Sequence, residues 1–285
     1  YGFCLFLLFN MVQHKKIEPS RGLVIVLILG QYLRYLMGLN SGFLHYIISK
    51  IGILNASADF LKEILSPNAV RKIKNTITNG DIVFKDISFK YTPESTEYLF
   101  ENINLEIKGG SKVGLIGRSG SGKTTLMKML IGLYSPNSGE IEIDGVLVWS
   151  LDVEYLRSEV NYVNQRTNMF NDTVLYNIQY GNDGVSEEYI EKMLKKYGLD
   201  EVYADLPSGI RGIAGVNGGN LSGGMQKTVM IIRGILKGGK VIIMDEPLAG
   251  LDKKTIEKVM KLLKSELEGR TLIVISHDNA IMPYM

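Results

Sequence analysis

The eight residues 117–124, GRSGSGKT, constrain this chain more than any other segment. They match the pattern G-x-x-x-x-G-K-[ST], follow an apolar run that predicts a buried strand (residues 112–116, KVGLI), and precede a helical pattern. Glycines let the backbone fold tightly, so that successive N–H groups and the positive end of the helix point at an anion. A glycine-rich turn without a ligand would need neither the buried strand before it nor the helix after it. Because both are present, the segment predicts a phosphate-binding loop.

Two residues at the end of this loop have the chemistry that nucleotide hydrolysis requires. The Lys123 ammonium is placed to reach the β and γ phosphates of ATP, and the Thr124 hydroxyl is placed to bind Mg²⁺. Lys123 is therefore predicted to be catalytic as well as nucleotide-binding. The residues predicted to bind the nucleotide at this loop are Gly117, Arg118, Ser119, Gly120, Ser121, Gly122, Lys123, Thr124 and Thr125.

A second segment, VIIMDE at residues 241–246, ends a buried strand with two acids. Open α/β sheets bind ligands at the carboxyl ends of their strands, where the Asp245 carboxylate can hold Mg²⁺. Glu246 is then placed to polarise water for attack on the γ phosphate. An Asp-Glu pair after a strand is more often an exposed turn, but together with the upstream loop it predicts the catalytic base.

Hydrophobic patterning after residue 80 predicts an α/β domain with a mainly parallel central sheet. Residues 81–91 and 103–108 alternate as half-buried strands do, whereas residues 112–116, 241–244 and 271–275 are nearly continuous in apolar residues and predict strands buried on both faces. Helical patterns cover residues 124–134 and 255–267. The formal net charge of +2 gives no reason to expect nucleic acid as a partner, and the single Cys4 excludes an internal disulfide framework.

The first 65 residues have a different character. Residues 1–12 are apolar but too short to span a bilayer, and we interpret them as the end of a span. Residues 22–65 contain no proline and would form a helix about 65 Å long, which predicts a membrane helix that continues into water. Gln31 and Arg34 are expected to face other helices or a wet cavity, with snorkelling an open alternative for Arg34. A buried hairpin of a soluble protein is the alternative for the whole stretch.

A third segment, LSGGMQ at residues 221–226, completes a pattern that resembles the nucleotide-binding domain of ATP-binding cassette (ABC) proteins, whose signature is LSGGQ. Further positions agree in order over about two hundred residues from Asp81 onwards. Tyr91 resembles the aromatic residue that stacks on adenine, and Gln165 resembles the Q-loop glutamine. Leu251 and Asp252 resemble the end of the D-loop, and His277 resembles the switch histidine.

The resemblance implies roles for these residues. Ser222, Gly223 and Gly224 would contact the ATP of a facing subunit, so that two ATP molecules are clasped between two domains. His277 would donate a hydrogen bond to the γ phosphate and link it to Glu246. The implied catalytic residues are Glu246, His277 and Lys123, and the implied Mg²⁺ ligands are Thr124, Gln165 and Asp245.

Two departures from the family pattern raise a question about ATPase rate and about coupling between subunits. Met225 stands where the signature usually has glutamine, and the D-loop reads LAGLD. The residues predicted to contact phosphate, Ser222 and Gly224, are present.

The N-terminal part indicates the subtype. Residues 56–65, ASADFLKEIL, resemble the last membrane helix of ABC exporters, and residues 156–178 resemble the exporter Q-loop region. The resemblance implies an integral membrane half-transporter whose cytoplasmic ABC ATPase, with a mainly parallel sheet, an antiparallel β subdomain and a helical subdomain, follows all-α transmembrane helices. We expect a transmembrane part at residues 1–66, a linker at 67–80 and the nucleotide-binding domain at 81–285.

The expected partners are a second half-transporter, membrane lipid and an unidentified transported substrate, with no nucleic acid. Two alternatives stay open at this point. One is a soluble ABC ATPase that acts on nucleic acid or ribosomes, which predicts basic patches and no membrane segment. The other is a regulatory module that binds ATP without turnover.

Overall fold

The computed structural model describes residues 76–92, 95–165, 168–182 and 184–278, together with residues 73 and 283 and scattered positions between 6 and 35. The chain divides into two compact units, Tyr1–Ala69 and Val70–Met285. In the first unit, residues 19–22, 24–32 and 34–35 are helical. Within the described positions, no helix reaches the length and apolar character that crossing a membrane requires.

The described residues include neither residues 36–66 of the predicted transmembrane part nor residues 67–72, 74 and 75 of the predicted linker. The division into a transmembrane part, a linker and a nucleotide-binding domain therefore stays a prediction.

Within its described residues, the second unit combines two four-stranded sheets with six α-helices. The strands are β1 Ile82–Phe89, β2 Phe100–Ile107, β3 Lys112–Ile116, β4 Ser138–Ile143, β5 Val146–Leu147, β6 Val160–Val163, β7 Val241–Asp245 and β8 Thr271–Ser276. The helices are α1 Lys123–Leu130, α2 Val153–Glu159, α3 Val174–Gln179, α4 Glu187–Tyr197, α5 Gly223–Leu236 and α6 Lys253–Glu266, and short 3-10 turns lie at Val148–Ser150, Asp200–Tyr203, Gly209–Arg211 and Val216–Gly218.

The central sheet is parallel, with strand order β3-β8-β7-β6. Successive side chains of a strand point to opposite faces, so a strand covered on both sides is apolar at every position. In β7, Ile242 and Met244 pack with α5, α6 and the helices between β6 and α5. Val241 and Ile243 pack on the other face, against α1 and the second sheet. The predicted double burial of residues 241–244 and 271–275 is confirmed.

Strand β3 differs from that expectation, because its residues are only half-buried. It lies at the end of the four-strand order, where it pairs with β8 alone among the described strands. Its apolar run reflects a covered edge rather than a central position.

The second sheet is antiparallel, with order β2-β1-β4-β5. Asp144 and Gly145 form the two-residue turn between β4 and β5, with φ of 49° and 75°, as an Asp-Gly hairpin turn requires. The Asp144 carboxylate also accepts the backbone N–H groups of residues 78–81 at 2.6 to 3.1 Å. This turn therefore fastens the start of the domain to the sheet.

Five of the six helices begin at a side chain that accepts the N–H three residues onward. These N-cap residues are Asp152, Thr173, Ser186, Ser222 and Asp252. The helix predicted at residues 124–134 ends earlier, at Leu130, because Gly132 takes a φ of 73° that closes the helix. The helix predicted at 255–267 begins two residues earlier, at Lys253, behind its Asp252 cap. The predicted α/β fold is confirmed.

Candidate functional site

Four parallel strands end at one edge of the central sheet, and each is followed by a predicted site residue. The glycine-rich loop follows β3, Gln165 follows β6, Glu246 follows β7 and His277 follows β8. A cleft of about 670 Å³ opens at this edge. Its lining residues are Tyr91, Leu99, Ser119, Gly120, Ser121, Gly122, Lys123, Thr124, Thr125, Lys128, Asn164, Gln165, Asp245, Glu246, Ile275 and His277.

The loop keeps its shape because glycines occupy positions that other residues cannot. Gly120 and Gly122 have φ of 80° and 86°, in the left-handed region. A Cβ atom at Gly122 would lie 2.7 Å from the Phe100 ring. Gly122 is also the residue from which α1 starts, so the first N–H groups of that helix point into the cleft.

The Lys123 ammonium closes over this loop. Its Nζ donates to the carbonyl oxygens of Gly117 at 2.7 Å and Arg118 at 2.8 Å, and lies 3.4 Å from the Ser121 hydroxyl. Gly117 and Arg118 therefore contribute backbone oxygens beside the cleft rather than side chains that line it. The cation is held where an anion bound by the loop would meet it.

Thr124 and Asp245 meet at the base of the cleft. The Thr124 hydroxyl donates to Oδ2 of Asp245 at 2.9 Å, and the Tyr162 hydroxyl donates to the same oxygen at 2.8 Å. Burial, together with the Asp245 carboxylate, raises the pKa of Tyr162, so its hydroxyl stays a donor. A hydroxyl and a carboxylate are hard oxygen donors, and Mg²⁺ is typically held by few protein oxygens with substrate phosphates and water. This pair fits such an ion.

Glu246 is held in an unusual backbone conformation. Its φ is 50°, its N–H donates to the Ile275 carbonyl at 2.9 Å, and its Oε1 accepts the backbone N–H of His277 at 3.0 Å. The same Oε1 lies 2.7 Å from Nδ1 of His277. A non-glycine residue at positive φ persists where several contacts fix it, and such residues cluster at functional sites.

Tyr91 lies at the mouth of the cleft, 60% exposed, with its hydroxyl 2.6 Å from the Thr125 hydroxyl. Its ring makes edge contacts with Phe89 and Tyr134, with ring centroids 5.1 and 5.9 Å away. These contacts fix the plane of the ring while leaving much of it open, as a platform for a flat ligand needs.

The structure does not bring Ser222, Gly223 and Gly224 into this cleft. They begin α5, where Ser222 is exposed and accepts the Met225 N–H at 3.2 Å. A Cβ on Gly223 would meet nothing within 4 Å, so this helix end faces open space. The Met225 side chain points the other way, into the hydrophobic cluster of the helical part.

Sequence reasoning missed several residues of this region, which are Tyr162, Lys227 and the cleft-lining residues Leu99, Lys128, Asn164 and Ile275. Tyr162 lies on β6, beside β7, so its bond to Asp245 depends on strand register and has no local signal. Lys227, on α5, donates from Nζ to the carbonyls of Gln165 at 2.8 Å and Glu246 at 2.9 Å. The sequence offered one signal for Lys227, its position one helical turn after Gly223, which places it near the start of the same helix.

Comparison with known proteins places these features in a family. The sequence model of the family described as "ABC transporter" matches residues 100–249. The chain is 37% identical over 199 residues to the alpha-hemolysin translocation ATP-binding protein HlyB of Escherichia coli, covering 70% of this chain and 28% of that protein. It is 34% identical over 226 residues to the ATP-dependent lipid A-core flippase of Saccharophagus degradans, covering 78% and 38%.

A eukaryotic relative and a solved structure agree. ABC transporter B family member 3 of Dictyostelium discoideum is 35% identical over 213 residues, 75% of this chain and 15% of that protein. The structure of a bacterial Atm1-family ABC exporter with ATP bound superposes with a TM-score of 0.70 at 28% identity, covering 80% of this chain and 40% of that one. The chain spans between 15% and 38% of the length of the three sequence relatives.

Proposed function

Since the chain belongs to the ABC transporter family, we propose that it supplies the ATP-binding and ATP-hydrolysing part of an ABC exporter. One observation carries the proposal. The Glu246 carboxylate, held by His277, faces the same cleft as the phosphate loop and the Thr124–Asp245 pair. A base, an anion cradle and oxygen ligands for a cation are the parts that phosphoryl transfer to water needs.

The loop and its lysine bind the nucleotide. Backbone N–H groups at the start of α1 receive the phosphates, and Lys123 exchanges the Gly117 and Arg118 carbonyls for β and γ phosphate oxygens. Tyr91 stacks on the adenine ring. Thr124 and Asp245 would hold Mg²⁺, and Gln165, which lines the same cleft, would be the third protein ligand. Bound Mg²⁺ neutralises charge on the β and γ phosphates.

Glu246 and His277 act on the reaction itself. Glu246 accepts a hydrogen bond from the attacking water and orients it toward the γ phosphate. Nδ1 of His277 lies against that carboxylate, and in the imidazolium form, in which both ring nitrogens carry a hydrogen, the other nitrogen would donate to a γ phosphate oxygen. The pair thereby ties the position of the base to the position of the phosphate.

The site is half of a nucleotide site. Ser222, Gly223 and Gly224 lie outside the cleft and present a helix start to open space, which suits contact with the ATP of a facing subunit. ATP then stabilises the closed pair, because each nucleotide contacts both subunits, and hydrolysis releases it. The partner is a second half-transporter in a lipid membrane, the nucleotide-binding domain is cytoplasmic, and this cycle moves an unidentified substrate.

Complementation between two defective chains tests the shared site. Ser222→Arg blocks the contact that a chain makes with the ATP bound by its partner. Glu246→Gln removes the base that acts on the ATP bound by the same chain. A dimer with one chain of each kind keeps one intact site, so its ATPase should recover to about half of the wild-type rate, while each variant alone is inactive. Purification over two different tags isolates the mixed dimer. No recovery in that dimer would contradict a composite site.

The membrane assignment has its own test. Fractionation of cells that make the gene product should recover it with membranes. Recovery in the soluble fraction would contradict the exporter and favour the soluble ATPase.

A further inference from the structure

Lys227 joins three separate segments of the chain through one ammonium group. It lies in the second turn of α5, and its Nζ donates to the carbonyl oxygens of Gln165 at 2.8 Å and Glu246 at 2.9 Å. Gln165 follows β6 and Glu246 follows β7, so the contact links α5 to the ends of two neighbouring strands. Hydrogen bonds from a charged donor are stronger than neutral ones, which suits a contact that fixes position.

The Glu246 backbone depends on such contacts. Its φ of 50° is unfavourable for a residue with a side chain, and its carbonyl is the group that turns when that angle relaxes. Lys227 holds this carbonyl, which also accepts the Ala249 N–H at 3.4 Å. The Ile275 carbonyl holds the other end of the residue by accepting its N–H at 2.9 Å. Among these contacts of the Glu246 backbone, the one with Lys227 comes from α5.

Helix α5 is also the helix whose start lies open. Ser222 caps it and Gly223 faces empty space, one turn before Lys227. A helix of fourteen residues with a buried apolar face moves as a rigid unit, so a shift of its start carries Lys227 with it.

We propose that Lys227 is a positioning residue that couples the open start of α5 to the orientation of Glu246 and Gln165. This inference rests on the proposed function. When Ser222–Gly224 bind the ATP of a facing subunit, Lys227 transmits the resulting shift of α5 to Glu246 and Gln165 in this chain's own site. The two half-sites of one chain thereby communicate within it.

Three substitutions in the full chain separate this role from simple support of the fold. Lys227→Met removes the donors and keeps the length, Lys227→Arg restores a cation with several donors, and Lys261→Met changes an exposed lysine of α6 as a matched control. Each is measured for nucleotide affinity, for kcat, and for hydrogen exchange of the backbone around residues 246–250 without turnover.

Lys227→Met should lower kcat at least about tenfold and change the nucleotide Kd less than about twofold, because misplacing a catalytic group costs turnover before binding. Exchange at residues 246–250 should rise while exchange in β8 stays as in wild type. Lys227→Arg should recover most of kcat, and Lys261→Met should match wild type.

Unchanged kcat and exchange in Lys227→Met would overturn the proposal. A parallel loss of kcat, affinity and β8 protection that arginine does not rescue would also overturn it, by showing a purely structural role. An inactive wild type would instead contradict the proposed hydrolysis, and the exchange measurement would still decide the role of Lys227.

Discussion

Nδ1 of His277 lies 2.7 Å from Oε1 of Glu246, and that same oxygen accepts the backbone N–H of His277 at 3.0 Å. The two residues follow the neighbouring parallel strands β7 and β8, so the sheet itself brings them together. One carboxylate oxygen is thereby occupied, and the proposed role of Glu246 assigns the other to the attacking water.

His277→Ala should lower kcat by about a hundredfold, because the carboxylate loses its ring partner and the γ phosphate loses a donor. Nucleotide affinity should change little, since the phosphate loop is untouched. Steady-state ATPase together with equilibrium binding of a fluorescent nucleotide measures both. His277→Gln, which keeps a donor, should lie between alanine and wild type, and a wild-type kcat in the alanine variant would refute the role.

Tyr162→Phe should lower the apparent affinity for Mg²⁺ in nucleotide binding by about tenfold, because loss of a group that orients a metal ligand typically costs that much metal affinity. The hydroxyl bonds Oδ2 of Asp245 at 2.8 Å, and its raised pKa keeps it protonated. Nucleotide binding in the presence of a chelator should be unchanged. A Mg²⁺ titration measures the effect, with exposed Tyr176→Phe as the control, and equal titration curves for both variants would disprove it.

Asp144→Asn should make the free energy of unfolding less dependent on pH in the acid range. Burial alone would raise the pKa of the Asp144 carboxyl, but the backbone N–H groups of residues 78–81 hold it below the ordinary value of 3.8. A depressed carboxyl pKa contributes stability above the unfolded pKa, and this contribution is lost as pH falls through the folded pKa.

Denaturant unfolding of wild type and Asp144→Asn between about pH 2 and pH 7 measures this, because a carboxyl of lowered pKa titrates below about pH 5. Wild type should lose stability more steeply than the variant at the acid end, and exposed Asp205→Asn should follow wild type. Parallel curves for wild type and Asp144→Asn would show that the turn does not fasten the start of the domain.

Met225→Gln, which restores the common residue of the signature, should destabilise this chain by about 1 to 3 kcal/mol. The Met225 side chain is buried in the hydrophobic cluster of the helical part, where an amide would lack water. Met225→Leu should cost less than about 1.5 kcal/mol, since it nearly keeps the volume. Equal stability of the glutamine variant and wild type would show that the position is not a packing site.

The sequence predicted the cleft because its motifs follow buried strands. Once residues 112–116, 241–244 and 271–275 are interpreted as parallel strands, their carboxyl ends must share one edge, and Lys123, Asp245 and His277 come with them. Lys227 and Tyr162 could not be found this way. Their partners depend on how α5 packs over the sheet and on the register of β6 with β7, which no local pattern encodes.

Two details of the fold also required the structure. The half-burial of β3 follows from its place in the strand order, which hydrophobicity does not specify. The outward direction of Gly223 is the second detail, because the sequence implied a separate location for Ser222–Gly224 only through the family resemblance.

The proposed role of Glu246 as the base for ATP hydrolysis is tested directly by the ATPase rate of Glu246→Gln, measured beside nucleotide binding by the same protein. The amide keeps the size of the side chain and removes its negative charge. We predict that kcat falls by at least about a hundredfold while ATP binds as in wild type. A variant that hydrolyses ATP at the wild-type rate would show that Glu246 is not the base.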